Sequence, residues 1–207
     1  MCGGTRNRTH GCILILSNSD IHKALTEGKI SIEPSPPVEH FSTSAVDLRV
    51  GSEFRRWKQQ ARGVELSIDV SRVRLPELTE YTEPLAPDAD GLVSIPKNEL
   101  ILTKTLEVID LPVDSCIAAR VEGRSSLARL GLSVHITAPI IHSGFYGPIV
   151  LEVLNQGGYN LKIRPNKACL CQLVFEQVSS PPTCSLETVF LGQETVLGGT
   201  KSSPGAN

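Results

Sequence analysis

From residue 92 to residue 175 the chain is a run of short apolar segments separated by Gly, Pro and Asn, and this pattern restricts its fold more than any other feature. Residues 92–93, 100–102, 106–109, 116–121, 134–137, 149–154, 161–163 and 170–175 are each rich in Val, Ile, Leu or Cys. Such pieces are too short for helices of several turns and suit strands, with Ser94-Ile95-Pro96-Lys97-Asn98 as a turn between the first two. Many short strands with few helices close into a sandwich or barrel, which predicts a mainly β, jelly-roll-like fold. A length of 207 residues fits one domain with its own core.

The region before these segments supplies the clearest helix. Ser17 and Asp20 form an S-x-x-D capping box, Ile21, Ala24 and Leu25 make one apolar face, and Gly28 provides a stop, so a helix is expected over 17–28. A short strand over 29–33, a proline-stiffened loop over 34–37 and a strand over 45–50 follow. The last carries Asp47 and Arg49, which read either as part of a site or as an ion pair that holds loops. Residues 55–90 mix charges with Pro76, Pro84 and Pro87 and suggest a hairpin or excursion without an assigned function. Residues 1–10 are polar and aperiodic, which predicts a disordered extension ahead of a domain over 11–190, with 191–207 as a tail.

A net charge of -2 gives no general attraction to DNA, RNA or anionic lipid, so any affinity for phosphate has to be local. No apolar run approaches the ~20 residues that span a bilayer, and the N-terminus lacks a signal-peptide pattern. The expectation is a cytoplasmic protein without a membrane partner. The cysteines are scattered, and Cys116, Cys169 and Cys171 sit in apolar segments, as reduced core thiols do.

Two segments carry the chemistry. Glu122-Gly123-Arg124-Ser125-Ser126-Leu127-Ala128-Arg129-Leu130-Gly131-Leu132 gathers two guanidinium groups and two hydroxyls ahead of a glycine, a composition suited to anions. On residue chemistry alone it reads first as a capped surface helix: Ser125 or Ser126 as N-cap, Leu127 and Leu130 on the apolar face, Gly131 as the stop. In Ile149-Val150-Leu151-Glu152-Val153-Leu154-Asn155 a single carboxylate interrupts an apolar run. An edge strand would turn Glu152 to solvent, but its neighbours leave no polar face. The expectation is a strand buried on both sides, with Glu152 in a cleft or against a partner charge.

These segments belong to an ordered series that also includes Ile15-Leu16-Ser17-Asn18-Ser19-Asp20-Ile21, Ala45-Val46-Asp47-Leu48-Arg49-Val50-Gly51, Val134-His135-Ile136-Thr137-Ala138, Gly144-Phe145, Cys171-Gln172-Leu173 and Phe190-Leu191-Gly192-Gln193. The series covers most of the chain and resembles the dCTP deaminase family, relatives of the trimeric dUTPases. The resemblance implies a dUTPase-like distorted jelly-roll β-barrel with a short N-terminal helix and a short motif helix. It implies hydrolysis of dCTP to dUTP and ammonia, in pyrimidine deoxynucleotide metabolism. It also implies a reaction without zinc, and neither the His-x-Glu nor the Pro-Cys-x-x-Cys signature of the zinc nucleobase deaminases occurs.

Within that resemblance Glu152 is the base that takes a proton from the water attacking C4. Arg129 is its matching arginine, and Ser125 orients the water or the amino group together with the backbone carbonyl of Ala138. Arg124 and Ser126, with Leu127 and Ala128 between them and Arg129, meet the triphosphate. Ile136, Val150 and Leu151 contribute backbone to the nucleotide, and Gln172 and Gln193 contact it, the latter from a tail that closes over it. Phe190 stands where many members stack a tyrosine near the sugar, and His142 is placed to bond a 3′-hydroxyl. Mg2+ arrives with the substrate triphosphate, with no metal site on the protein itself. Three identical subunits share their sites, and dTTP is a candidate feedback inhibitor.

The chain departs from the pattern at His142-Ser143, where related dUTPases and two-activity deaminases carry an aspartate that activates water for attack on phosphate. The glycine-rich phosphate loop that ends ordinary dUTPases is also missing. Two alternatives therefore stand beside the deaminase: a dUMP-forming bifunctional deaminase or dUTP diphosphatase, and a non-catalytic nucleotide-binding regulatory trimer.

Overall fold

The structure, a computed structural model, describes residues 14–60, 67–72, 77–183 and 195–197. The expected extension over 1–10 lies outside the described residues, as does most of the tail. The helix forms as its capping box dictates: α1 spans Asn18–Thr26, and the Ser17 hydroxyl accepts from the Asp20 amide at 3.3 Å and donates to its carboxylate at 2.7 Å. Ile21 and Ala24 turn into the core, and Gly28 follows with φ +67°.

The remainder is sheet. In chain order the elements are β1 (Ser31–Glu33), β2 (Val46–Trp57), α2 (Leu78–Tyr81), β3 (Thr82–Pro84), β4 (Val93–Ile95), β5 (Leu100–Asp110), β6 (Ile117–Gly123), α3 (Ser125–Ala128), β7 (Leu132–Ser133), β8 (Ile140–Ile141), β9 (Tyr146–Asn155), β10 (Leu161–Ile163) and β11 (Cys169–Gln177). One nine-stranded sheet runs β7-β9-β5-β2-β11-β6-β8, with β1 added to β5 and β3 to β2, and a two-stranded sheet joins β10 and β4. Every pairing is antiparallel. The mainly β fold expected from the strand pattern is therefore the one observed.

Several strands differ from the pattern. Residues 92–93 and 100–102 do not form a hairpin. Asn98 takes a left-handed conformation (φ 61°) and donates its amide to the Asn155 carbonyl at 2.7 Å, which sends β4 to β10 while β5 runs unbroken through residues 100–110. Residues 134–137 form no strand, because the chain folds on itself there and the Ser133 hydroxyl donates to the His135 carbonyl at 2.8 Å. The strand expected over 45–50 continues to Trp57, with a register shift between Val50 and Phe54. The excursion then returns through α2 and β3, which pairs back on β2.

The core lies inside the curled sheet, where Val46, Leu48, Ile101, Ile109, Leu151, Val153, Leu173 and Phe175 are almost fully buried. It also takes in one carboxylate: Glu107 is fully buried and bonds both the Arg49 guanidinium (2.7 Å) and the Arg49 amide (2.9 Å). The ion pair anticipated for the Asp47 and Arg49 motif thus exists, but through Glu107. A second, smaller cluster joins Leu102 to Val196 and Leu197 with Leu78 against it. Among the described residues no helix is long and apolar enough to cross a membrane.

Candidate active site

The arginine-serine segment leaves β6 at Gly123 and makes a single turn, α3, with Arg124 in the N-cap position and no side-chain cap. The expected serine cap is therefore absent. The first turn is closed instead by backbone bonds from the Leu127 and Ala128 amides to the Arg124 carbonyl, which frees the exposed hydroxyls of Ser125 and Ser126 from a structural duty. Leu127 packs on the core, while Ala128, Arg129 and Leu130 stay exposed.

Gly131 ends the turn at φ +85°, and a Cβ there would collide with the backbone of Gly157; a Cβ on Gly157 would collide with the Leu130 carbonyl. Backbone packs on backbone at this seam, and the Gln156 amide donates to the Gly131 carbonyl at 2.8 Å. The end of α3 is thereby fixed against the turn that follows β9.

Arg124 is held from two sides. Its guanidinium pairs with the Asp47 carboxylate at 2.9 Å and donates to the Cys169 carbonyl at 3.1 Å. Gln172 lies beside them: it is registered with Asp47 on β2 and with Glu122 on β6, and its side-chain amide donates to the Gly123 carbonyl at 3.2 Å. Three elements thus converge on the start of the segment. Burial raises the pKa of the half-buried Cys169 thiol beside them, as does the negative charge of Asp47, and burial raises that of Cys171 further.

On the other side of α3 lies an open cleft of about 500 Å³, lined by Gly123, Ala128, Gly131 and 132–136, with Gln156 at its rim. Ile136 and Ala128 line it, and so do His135 and Gln156, which sequence reasoning did not single out. His135 brings a buried Nδ1 without a hydrogen-bond partner in the structure. Ala138 is exposed in the loop before β8, and exposed His142 opens the turn that Gly144 closes, its carbonyl accepting from the Phe145 amide at 3.1 Å.

Glu152 lies on β9, opposite Leu102 of β5. The expectation of a strand buried on both faces does not hold. Burial alternates strictly along β9: Ile149, Leu151 and Val153 face the core, whereas Pro148, Val150, Glu152 and Leu154 share a half-open outer face. Along β9 itself the neighbours of the carboxylate on that face are apolar, which is why sequence alternation alone concealed it. The free edge of β9 is equally open, since β7 pairs only with Leu154 and Asn155. Among the described residues no strand pairs with that edge near Val150 and Leu151, and the Leu151 side chain belongs to the core.

The site residues therefore fall into two groups. Arg124, Gln172 and the serines gather at one place with the cleft beside them, and Glu152 stands on the outer face of β9. Neither the Glu152 carboxylate nor the Arg129 guanidinium makes an ion pair or hydrogen bond with another described residue. Phe190 and Gln193 lie outside the described residues. The pairing of Asp47 with Arg124 joins residues 77 positions apart in sequence, and no local signal carries it.

Comparison with known proteins adds a lineage. Residues 15–178 match the family model described as dCTP deaminase-like. Among curated proteins, "dCTP deaminase, dUMP-forming" of Methanosphaera stadtmanae is 38% identical over 167 residues, covering 81% of each chain. The protein of the same name from Methanothermobacter thermautotrophicus is 39% identical over 168 residues, again covering 81% of each. Among solved structures, the 2′-deoxycytidine 5′-triphosphate deaminase of Agrobacterium tumefaciens superposes with a TM-score of 0.59 at 19% identity, over 80% of this chain and 48% of that one. This chain thus spans about half the length of that structure, and the likeness concerns the fold.

Proposed function

Because the chain belongs to the dCTP deaminase-like family, we propose that it hydrolyses the exocyclic amine of dCTP and releases dUTP and ammonia. The observation that carries this reading is the division of the site: an arginine-serine turn braced by Asp47 and Gln172, and a carboxylate on the half-open outer face of β9 that makes no ion pair or hydrogen bond with another described residue. Two copies of the chain placed edge to face supply what each lacks. Glu152 of one then meets Arg129 and Ser125 of another, and a closed ring of three gives three equivalent sites.

In that arrangement Glu152 accepts one proton of water as it attacks C4 and passes it to the ring nitrogen. It then takes the proton of the new C4 hydroxyl and passes it to the amine, which leaves as ammonia as the C4–N bond breaks and the carbonyl forms. Arg129 orients the carboxylate through a charge-assisted bond. Ser125, released from capping, orients the water or the amino group with the Ala138 carbonyl. Arg124 and Ser126 take the triphosphate, which enters with its Mg2+. Zinc has no part in the proposed chemistry, and dTTP competes for the same phosphate-binding groups.

A second reading has one specific observation behind it: the similar curated proteins carry the name dUMP-forming. Against it stands His142, at the position where the resemblance calls for a phosphate-directed aspartate. Incubation with dCTP and Mg2+, with chromatography of nucleotides and an ammonia assay, decides between them. Stoichiometric dUTP and ammonia support the first reading, dUMP with pyrophosphate supports the second, and unchanged dCTP with an intact assembly points to a regulatory nucleotide binder.

A further inference from the structure

We propose that Leu78 and Glu53 are positioning residues, which clasp residues 195–197 onto the outer face of the sheet beside Glu152; the catalytic part of this inference rests on the role given to Glu152 above. Along β5 the inward positions Ile101, Thr103, Thr105, Glu107 and Ile109 are buried, and the outward positions Leu100, Lys104, Leu106 and Val108 are half-buried. Leu102 breaks that rule: it points outward yet is only 7% exposed. What covers it is Val196 and Leu197, 5% and 6% exposed, together with Leu78 of α2.

The position of this cover gives it a function. Leu102 is registered with Glu152 on β9 and with Arg55 on β2, so the three side chains stand in one row on one face. The cover sits on the residue registered with Glu152, one strand away from the carboxylate on the same face.

The cover is also fastened. Glu53 accepts the Val196 amide at 3.3 Å with one carboxylate oxygen and pairs with Lys104 at 3.1 Å through the other. Arg55 donates to the Thr82 hydroxyl at 2.9 Å and to its carbonyl at 3.1 Å, and that hydroxyl donates to the Leu78 carbonyl at 2.7 Å. Thr82 is 1% exposed, so α2 is wired to β2 through a buried link. The excursion that the sequence left without a role becomes the outer jaw of the clasp.

The test uses the full-length protein with Leu78→Ser, Val196→Ser, the double variant, Val196→Ile and Glu53→Gln. Hydrogen exchange at the Val196 and Leu197 amides reads the clasp, and kcat and KM for dCTP read its effect. Exchange in the Leu78→Ser protein is expected to accelerate, with kcat falling about tenfold and KM little changed. The double variant should be no worse than either single one, because both act through one contact, and Val196→Ile should keep wild-type values. Glu53→Gln reports on the same segment without disturbing the apolar packing. Fast exchange in the wild type, or exchange indifferent to Leu78→Ser and Glu53→Gln, overturns the clasp whatever the enzyme does. Faster exchange with unchanged kcat overturns the positioning role. Protected amides in a wild type that does not turn over dCTP remove the deaminase reading and the positioning role with it, and leave the clasp standing.

Discussion

Arg49 and Glu107 are joined twice, by guanidinium to carboxylate at 2.7 Å and by the Arg49 backbone amide to the other carboxylate oxygen at 2.9 Å, with the carboxylate wholly out of water. Removing one partner strands a buried charge. Arg49→Met should lower unfolding free energy by about 3–5 kcal/mol, and Glu107→Gln by less, since the amide retains shape and one acceptor. Denaturant melts of the two variants check the order; a milder Arg49→Met would contradict the burial of this pair.

Glu152→Gln preserves size on the half-open face of β9 and removes the proton acceptor. Nucleotide binding should persist while kcat falls by a factor on the order of 10²–10⁴. Titration calorimetry with dCTP and a turnover assay separate the two effects, and near-normal kcat would remove Glu152 from the proposed chemistry.

In the proposed site Asp47 acts through its ion pair with Arg124. Asp47→Asn should weaken the grip on that guanidinium and reduce kcat/KM about tenfold or more, mainly through KM, in line with a charge-assisted bond of about 1.5–3 kcal/mol. A loss in kcat alone would show that Arg124 does not depend on Asp47 for its orientation.

At the seam between the end of α3 and the turn after β9, neither glycine has room for a methyl group. Gly131→Ala and Gly157→Ala should each destabilise the protein by about 1–3 kcal/mol, visible as a lowered melting temperature. Gly158→Ala, with no atom within 4 Å of its added Cβ, serves as the control expected to be nearly neutral.

Burial holds the Cys171 thiol protonated far above neutral pH, and Cys169 is shifted in the same direction. A thiol needs its thiolate to react, so raising the pH to about 8 should leave Cys171 unalkylated in the native protein and open it only on unfolding. Mass mapping after iodoacetamide treatment reads this directly.

The legible parts of the fold were those with strong local grammar. Ser17, Asp20 and Gly28 announce α1 through capping chemistry that needs no tertiary help, and the long apolar strands show themselves by composition. The illegible parts depended on distant partners. Two-residue strands such as β7 and β8 hold too little pattern, Asn98 redirected β4 through a bond to Asn155, and Val134 with Ile136 imitated a strand while bordering a cleft. In the site, Arg124 and Gln172 stand together at the start of α3 and Ile136 and Ala128 line the cleft beside it. The serine cap failed because Arg124 took the cap position, and the burial of Glu152 was misjudged because Pro148, Val150 and Leu154 make the outer side of β9 read as apolar as its inner side.

The glycine seam has one more consequence. If the arginine-serine turn of each subunit serves one reaction centre and Glu152 of the same subunit serves the next, the backbone contact between residues 131 and 157 fixes the spacing of the two groups that one chain gives to two centres.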